Sequence, residues 1–259
     1  MLTIDLTGRK ALVTGGARGI GAAIVRALAQ CGAAVCFTHQ GSPKGTEAAE
    51  RMVAELTAEG QRVYRFVAAA EDVTAMERVA AGAAAEMGGL DLLVPNVGAN
   101  EPRPIEALDL ESWQRALDLN LTSAYVSIKS ALPWLSEAER ADIVLIGSSA
   151  SGDGGGGSAA YAAAKAGLEG MMFALMRELP ARGIHLNTVR PCLVDTDLLR
   201  ERYDTEEKRA GLAAQVPLGR LSRPEDVAHL VAYLCSDLGG FICGQTILVD
   251  GGRTLWRNR

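Results

Sequence analysis

Short apolar segments alternate with longer amphipathic segments along most of the chain. Seven of the short segments are rich in apolar and β-branched residues, which is typical of strands. Their apolar runs are nearly continuous rather than alternating, so both faces of the sheet are expected to be covered, as in parallel sheets. The predicted strands span residues 10–14, 33–38, 62–67, 90–94, 141–147, 183–190 and 245–250.

Helical patterns fill the intervals between these strands. The first helix follows a glycine-rich stretch, places Ile20, Ile24 and Leu28 on one face, and closes at Gly32. Strand–helix alternation without a linker or repeat predicts a single α/β domain over residues 1–259, with a doubly wound parallel sheet. The other helices are predicted over 44–59, from a cap at Asp72 or Thr74 to Met87, and over 109–135, 158–179 and 224–236.

One polar, charge-rich segment interrupts the alternation. It covers residues 195–215 and reads DTDLLRERYDTEEKRAGLAAQ. The segment is too long for an ordinary connection between elements. We therefore interpret residues 195–216 as a mobile loop that covers a site.

Composition narrows the class of protein. The 259 residues are 48% hydrophobic, which predicts a globular chain with a substantial core. The net charge of −5 and the lack of a Lys/Arg cluster argue against nucleic acid as a partner. The five cysteines are odd in number and form no CxxC motif, which favours a reducing compartment. With neither a signal-like start nor an apolar stretch of transmembrane length, we expect a cytoplasmic protein with no membrane partner, and no metal site is predicted.

The stretch TGGARGIG, residues 14–21, lies between the first strand and its helix. Gly15, Gly19 and Gly21 let backbone N–H groups approach a pyrophosphate at a helix N-terminus, where the helix dipole favours negative charge. In this strand–turn–helix context the glycines predict a dinucleotide site, with an ordinary tight turn as the alternative. Arg18 and Ile20, in the same loop, are included among the predicted cofactor contacts.

The end of the second strand bears on which dinucleotide binds. An NAD-binding domain usually has an acidic residue there for the ribose 2′-OH. Here the stretch reads CFTHQGSPK and contains no Asp or Glu; His39 and the nearby Gln40, Ser42 and Lys44 can instead accommodate a 2′-phosphate. Arg18 can pair with that phosphate through its planar fork. The pattern favours NADP(H) and leaves NAD(H) as the alternative.

Several further motifs follow in a fixed order. They are LDLLVPNVG (90–98), LDLNLTSAY (117–125), IGSSAS (146–151), YAAAK (161–165), NTVRPCLVDT (187–196), PLGRLSRPEDVAHLVAYLCS (217–236) and GQTILVDGG (244–252). Together with TGGARGIG, they make nearly the whole chain resemble the short-chain dehydrogenase/reductase family. The resemblance implies a Rossmann-type sheet of seven parallel strands, hydride transfer to or from a nicotinamide, and a homotetramer, with a homodimer as the alternative.

Tyr161 and Lys165 stand four residues apart and therefore share one face of a helix. Taken alone, the two residues are an ordinary surface pair. Reduction of a ketone, however, needs an acid within reach of the carbonyl oxygen, and a phenol with a pKa of about 10 is a poor one near neutrality. A nearby ammonium and an oxidised nicotinamide both favour the phenolate. The resemblance implies that Tyr161 is the general acid/base. It also implies that Tyr161 and Lys165 both contact the cofactor, with Lys165 bound to the nicotinamide ribose.

The resemblance also assigns the remaining site residues. Ser148, which precedes Tyr161 by 13 residues, would hold the substrate oxygen, with Ser149 as the alternative. Asn120 lies within a predicted helix, where asparagine is unfavourable, and would kink it and hold a water linked to Lys165. The expected cofactor contacts are Asn96 and Gly98 at the adenosine ribose and the cofactor floor, and Pro191, Val194 and Thr196 at the carboxamide.

Four residues depart from the family pattern. Pro95 and Val97 stand in PNVG where the family commonly has NNAG. Ala69 stands where the family often has an Asp that binds the adenine. Cys192 stands where the family has a glycine after the proline, which is Pro191 here. We expect Cys192 to lie near the nicotinamide and to narrow the pocket.

The sequence thus predicts an NADP(H)-dependent oxidoreductase acting on a ketone or secondary alcohol, with a small-molecule substrate. The resemblance runs toward 3-oxoacyl carrier-protein reductases and toward sugar and polyol dehydrogenases. One alternative is an NAD-dependent sugar, polyol or alcohol dehydrogenase. Another is a nucleotide-binding regulatory protein with little catalysis, suggested by the departures. Two predicted helices carry more apolar residues than one sheet face needs, and some of these are expected to face a partner subunit; they include Trp113, Trp134, Met171, Met172 and Phe173.

Overall fold

One seven-stranded parallel sheet forms the centre of the protein, with strand order β3-β2-β1-β4-β5-β6-β7. The computed structural model describes residues 3–256. The strands are β1 (Lys10–Val13), β2 (Ala34–His39), β3 (Val63–Val67), β4 (Leu92–Val94), β5 (Ala141–Ile146), β6 (Ile184–Pro191) and β7 (Thr246–Val249). The order reverses between β1 and β4, which opens a crevice at their carboxyl ends. The predicted Rossmann-type, doubly wound fold is confirmed.

Helices cover both faces of the sheet. They are α1 (Gly19–Gln30), α2 (Pro43–Ala58), α3 (Val73–Met87), α4 (Leu110–Leu117), α5 (Ser123–Leu135), α6 (Ala150–Asp153), α7 (Ala159–Leu175), α8 (Asp197–Arg202), α9 (Glu206–Ala213), α10 (Pro224–Leu234) and α11 (Arg253–Trp256). One core layer joins α1, α2 and α10 to the sheet, and the other joins α3, α5 and α7. Within residues 3–256, no helix is long and apolar enough to cross a membrane.

Strand β1 explains why the apolar runs are continuous. Ala11 and Val13 pack into the layer with α1, whereas Leu12 packs into the opposite layer. All three are fully buried. A strand covered on both faces has no solvent-facing position, so the alternation of polar residues disappears.

The structure differs from the predicted elements in three places. The single helix expected over 109–135 is divided into α4 and α5 by a π-helical turn at Asp118–Thr122. The helix expected to reach residue 179 ends at Leu175. The segment 195–215, for which no helix was predicted, contains α8 and α9. Of the two candidate caps for α3, Asp72 is the one used, accepting a hydrogen bond from the Ala75 amide at 3.0 Å.

The expected surplus of apolar surface is only partly present. Met172 lies on the buried face of α7 and belongs to the core, so it is not one of the residues that face a partner subunit. Phe173, the next residue, is 57% exposed, and Tyr125 on α5 is 48% exposed. Trp113, Trp134 and Met171 are partly buried.

A network of charges closes the edge of the sheet opposite the crevice. Asp142, 2% exposed, accepts hydrogen bonds from Arg9 Nη2 at 2.8 Å and Arg140 Nη2 at 2.9 Å. Arg9 Nε also donates to Asp91 at 3.0 Å. Asp142 thus ties residues before β1 and β5 to the sheet, and its removal leaves two guanidinium groups without their main partner.

We predict that Asp142→Ala lowers the free energy of unfolding by about 3 kcal/mol, because breaking a buried ion pair leaves uncompensated charge. Urea denaturation followed by circular dichroism measures the change. Asp237→Ala is the control, since Asp237 also pairs with Arg140, at 3.3 Å, but its side chain is 98% exposed. The control is expected to change stability by less than about 0.5 kcal/mol. Equal losses in both variants would contradict a special role for the buried carboxylate.

Candidate active site

The glycine-rich loop between β1 and α1 lies at the crevice and has a backbone that requires glycine. Gly15 and Gly19 have φ values of 67° and 57°, in the left-handed region. A Cβ on Gly21 would overlap the Gly15 carbonyl oxygen and lie 2.6 Å from Asn96 Nδ2. The loop therefore turns tightly into α1, whose first turn begins at Gly19, followed by Ile20.

Asn96, at the end of β4, fixes this loop. Its Nδ2 donates to the Thr14 and Gly15 carbonyl oxygens at 3.0 and 3.1 Å. Its backbone amide donates to Thr14 Oγ1 at 3.1 Å. Asn96, which was expected to line a ribose, thus donates both amide hydrogens to the glycine loop and holds that loop against β4.

A cation-rich cavity of about 560 Å³ opens where α1, α2 and α8 meet. Five basic side chains line it: Arg18, Arg26, Lys44, Arg51 and Arg200. Three acidic residues, Glu47, Asp197 and Glu201, share the lining. Lys44 Nζ lies 3.8 Å from Glu201 Oε1, across the gap between α2 and α8. The cavity is beside the glycine loop and carries a local excess of positive charge in an acidic protein.

His39 does not take part in this cavity. Its side chain is 4% exposed, and its Nδ1 accepts a hydrogen bond from the Gly41 amide at 3.2 Å. Burial lowers the pKa of His39, and the nearby Arg65 lowers it further, so the imidazole is neutral at neutral pH. The prediction that His39 contacts a 2′-phosphate does not fit this geometry, because the end of β2 turns the ring inward.

The predicted tyrosine, lysine and serine come together at the carboxyl end of β5. Ser158 caps α7 and accepts a hydrogen bond from the Tyr161 amide at 3.4 Å. The Tyr161 phenol lies close enough to the Ser148 hydroxyl for that group to lower its pKa. Lys165 Nζ lies 5.9 Å from the Tyr161 ring centroid and donates to the Ile146 carbonyl at 2.9 Å. Since Ser148 follows Ile146 by two residues, one strand end holds both groups.

The two candidate serines have different environments. Ser148 is partly exposed and faces Tyr161, whereas Ser149 is 5% exposed and lies under the loop. The geometry favours Ser148 over Ser149 as the partner of the phenol.

Arg190 and Glu169 hold the segment between β5 and α7 that carries Ser148 and Ser149, residues 147–158, called the serine loop below. Neither residue was predicted from the sequence. Arg190, on β6, donates from Nε to the Ser148 carbonyl at 3.2 Å and from Nη2 to the Ser149 carbonyl at 3.1 Å. Its Nε also lies 3.4 Å from Glu169 on α7, the helix that carries Tyr161. Ser151 Oγ lies within hydrogen-bond distance of both Glu169 and the Ser148 carbonyl, and its single proton can go to either. The signal available in the sequence was a charged residue, Arg190, at the end of a strand expected to be buried.

Asn120 causes the π-helical turn. Its Nδ2 donates to the Ala116 carbonyl at 3.0 Å, the group that a regular helix would pair with the Asn120 amide. The same Nδ2 donates to the Ala99 carbonyl at 2.9 Å, and Oδ1 accepts from the Ala99 amide at 3.1 Å. The expected kink is confirmed, and the side chain also anchors the segment after β4.

Gly98 has no side chain, and its backbone lies next to Asn120 and Lys165. A Cβ there would lie 2.6 Å from Asn120 Oδ1 and 2.9 Å from Lys165 Nζ. No larger residue fits without displacing one of the two. The exposed backbone of Gly98 therefore borders both the lysine and the asparagine.

The segment after β6 runs beside the glycine loop. The Pro191 carbonyl accepts from the Ser149 amide at 2.9 Å, and Val194 is buried in a bridge to Ser222. A Cβ on Gly19 would lie 3.3 Å from Thr196 Cγ2. All three predicted carboxamide-binding residues thus lie on a segment that connects the serine loop to the start of α1.

The pKa shifts at the site arise mainly from burial. Burial of the Lys165 ammonium lowers its pKa to about 8. Burial raises the pKa of the Tyr161 phenol, the nearby Ser148 hydroxyl opposes this, and the nearby Cys192 thiol adds to the increase. Burial therefore outweighs the nearby ammonium, and the lowering of this pKa expected from an oxidised nicotinamide stays a prediction.

Known proteins with related sequences and structures cover almost the whole chain. A family model described as "Enoyl-(Acyl carrier protein) reductase" matches residues 15–254. The cis-4-hydroxycyclohexanecarboxylate dehydrogenase of Sinomonas cyclohexanicum is 39% identical over 250 residues, covering 95% of this chain and 96% of the relative. The 3-oxoacyl-[acyl-carrier-protein] reductase of Escherichia coli (strain K12) is 37% identical over 249 residues, covering 96% and 98%.

A solved structure agrees with these relatives. The crystal structure of a blue fluorescent protein from a metagenomic library in complex with NADPH superposes with a TM-score of 0.89 at 36% identity, covering 96% of this chain and 99% of that one. The fold, the matched length and the ordered motifs agree. The chain belongs to the short-chain dehydrogenase/reductase family of oxidoreductases.

Proposed function

We propose that this protein is an NADP(H)-dependent oxidoreductase that interconverts a ketone and a secondary alcohol, with Tyr161 as the general acid/base. The observation that carries the proposal is the convergence of the Tyr161 phenol and the Ser148 hydroxyl, which are close enough to interact, beside the buried Lys165 and the backbone of Gly98, which has no side chain. Two hydroxyl groups that converge on one point can bind one substrate oxygen.

The residues present fit a nicotinamide dinucleotide. The backbone of Gly15 to Gly21 suits a pyrophosphate at the start of α1. Gly98 presents a flat surface without a side chain, next to Asn120 and Lys165. These features support a cofactor that extends from the glycine loop to Tyr161.

The cation-rich cavity supports NADP(H) over NAD(H). Arg18, Lys44 and Arg51 line it, and no acidic residue ends β2. The neighbouring structure described above contains NADPH. A 2′-phosphate gains charge-assisted hydrogen bonds from such side chains, whereas a 2′-hydroxyl gains little.

Reduction would proceed with the following division of labour. When bound, the reduced cofactor supplies a hydride to the carbonyl carbon. The Ser148 hydroxyl donates a hydrogen bond to the carbonyl oxygen and stabilises the charge that develops there. The Tyr161 phenol transfers its proton to that oxygen, and the ammonium of Lys165 stabilises the resulting phenolate. Arg190 and Glu169 keep Ser148 at a fixed distance from the helix that carries Tyr161.

The relatives suggest two kinds of substrate. One relative is named for a hydroxycyclohexanecarboxylate and another for a 3-oxoacyl group on a carrier protein. We therefore propose cyclic oxo acids and 3-oxoacyl thioesters as the first compounds to assay.

We also propose that residues 195–216 cover the site, because Thr196 lies beside Gly19 and α8 lines the cation-rich cavity.

The exposed Tyr125 and Phe173 support assembly into a homotetramer or homodimer. A cytoplasmic location remains part of the proposal. The alternative of a regulatory nucleotide-binding protein gains no support from a site in which phenol, hydroxyl and ammonium are brought together.

Arg18→Ala is predicted to weaken NADPH binding by about tenfold to hundredfold, the effect of losing a charge-assisted hydrogen bond. NADH binding should change little. Cofactor fluorescence titration measures both. Arg26→Ala is the matched control, since Arg26 lines the same cavity but is already paired with Glu55 at 2.6 Å. Tighter binding of NADH by the unaltered protein would establish the NAD-dependent alternative, and binding of neither cofactor would leave the regulatory alternative.

Tyr161→Phe is predicted to lower kcat by about 10²- to 10⁴-fold, since it removes the proton donor. The Kd for NADPH should stay within about twofold because the ring is retained. Steady-state assays with the oxo compounds, together with the binding titration, separate the two effects. Ser148→Ala should also lower kcat strongly, whereas Ser149→Ala, at the buried serine, should not. Undiminished turnover by the phenylalanine variant would remove Tyr161 from the mechanism.

Because Lys165 is buried, we predict that the free energy of unfolding depends on pH in a distinctive way. Its pKa falls from 10.5 to about 8 on folding, so the unfolded chain binds more protons between these pH values. The stability of the protein relative to Lys165→Met should therefore rise by about 3 kcal/mol as the pH increases through this window. Urea denaturation of both proteins at several pH values between neutrality and pH 10.5 tests this. Parallel pH profiles would show that Lys165 keeps an ordinary pKa.

A further inference from the structure

Arg253 is a buried cation that the proposed mechanism does not use. It opens α11, directly after the loop that follows β7. The residue is 9% exposed, and 10% of its side chain is accessible. A buried guanidinium is costly unless its charge and its five N–H donors are matched.

The acceptors around Arg253 match it poorly. Nη1 donates to the Cys192 sulfur at 3.3 Å, and Nη2 donates to Gln215 Oε1 at 3.2 Å. A thiol sulfur is a weak acceptor, and an amide oxygen carries no charge. The carboxylate of Asp153 lies 3.8 Å from Nη1, beyond hydrogen-bond distance. Nε is buried and has no hydrogen-bond partner among residues 3–256.

Three separate segments converge on this side chain. Asp153 ends α6 in the serine loop, and Cys192 follows β6. Gln215 lies just after α9, in the segment 195–216 that is proposed to cover the site.

Two of these segments also belong to the site around Tyr161: Asp153 lies in the loop that carries Ser148, and Cys192 follows Pro191, whose carbonyl accepts from the Ser149 amide at 2.9 Å. The Cys192 sulfur is close enough to the Tyr161 phenol to influence its ionisation. Cys192 therefore lies near both the proton donor and Arg253.

We propose that Arg253 binds a carboxylate of the substrate, so that the enzyme reduces oxo acids whose carboxylate lies on the far side of the molecule from the carbonyl. The inference rests on the proposed function, because it assumes that the reacting oxygen lies at Tyr161. A carboxylate is a far better acceptor than the Cys192 sulfur, and it can accept two parallel hydrogen bonds from a guanidinium.

The position of Cys192 and the charge of Asp153 narrow the class further. Arg253 donates to the Cys192 sulfur and not to the phenol, so the proposed substrate carries its carboxylate on a carbon that is not adjacent to the ketone. Asp153 contributes a negative charge 3.8 Å from Nη1, which favours a singly charged carboxylate over a doubly charged phosphate. A carrier-protein thioester has no charge near its ketone and gains nothing from Arg253.

The test compares an acid with its neutral counterpart in binding. Calorimetry of the protein with NADP⁺ measures the Kd for cyclohexanecarboxylate and for cyclohexanecarboxamide, neither of which can react. The unaltered protein should bind the acid about tenfold to hundredfold more tightly, and Arg253→Gln should remove the difference. Arg253→Lys should restore part of it, which also shows that the site remains folded.

Arg220→Gln is the matched control. Arg220 lines a neighbouring small cavity with Cys192, but two hydrogen bonds, at 2.6 and 3.0 Å, pair it with Asp226. This variant should keep the preference for the acid. If the unaltered protein binds acid and amide equally, or if Arg253→Gln weakens both equally, the proposal is overturned and Arg253 only joins α11 to the serine loop.

Turnover then separates this inference from the proposed function. With NADPH, 4-oxocyclohexanecarboxylate should have a lower KM than its methyl ester, at similar kcat, and Arg253→Gln should equalise the two KM values. Preferential binding of the acid without turnover of either compound would support the anion site and contradict the reductase. Turnover of both compounds with equal KM would support the reductase and contradict the anion site.

Discussion

The hydrogen bond from Lys165 to the Ile146 carbonyl is the interaction on which the geometry of the site depends. A lysine that is 3% exposed needs a partner for its ammonium, and the last residue of β5 supplies it. This bond fixes α7 against the end of β5. Ser148 follows two residues later, so the same contact sets the distance between the serine and Tyr161. Gly98 must lack a side chain because the ammonium and the Asn120 amide occupy the adjacent space.

Much of this arrangement follows from the sequence because it depends on local patterns. The continuous apolar strands, the glycine loop and the spacing of Tyr161 and Lys165 are each encoded within a few residues. The π-helical turn was not predicted, because it arises when the Asn120 side chain competes for a carbonyl of its own helix and also bonds the distant Ala99. The Arg190–Glu169 pair joins a strand to a helix, and only the folded chain brings the two together.

Burial bears on two of the expectations about charged groups. His39 was assigned to a phosphate and Tyr161 to a lowered pKa from their sequence neighbours alone. In the structure the dominant influence on each is burial, which makes His39 neutral and keeps the proton on Tyr161. Sequence gives the identity of a group and its charged neighbours, but the cost of removing it from water depends on packing by distant segments.

The distribution of charge is local rather than global. A net charge of −5 gave no sign of an anion site, yet five basic side chains line the cavity beside the glycine loop.

Cys192 is a second local feature that the sequence alone did not explain. As a departure from the glycine of the family pattern, it was expected to narrow the pocket near the nicotinamide. In the structure its sulfur accepts a hydrogen bond from Arg253, so the departure and the buried arginine form one feature. A thiol at this position brings a weak acceptor close to both the proton donor and a cation, where a glycine would leave a gap. The replacement therefore alters the substrate side of the site and leaves the groups that surround Lys165 unchanged.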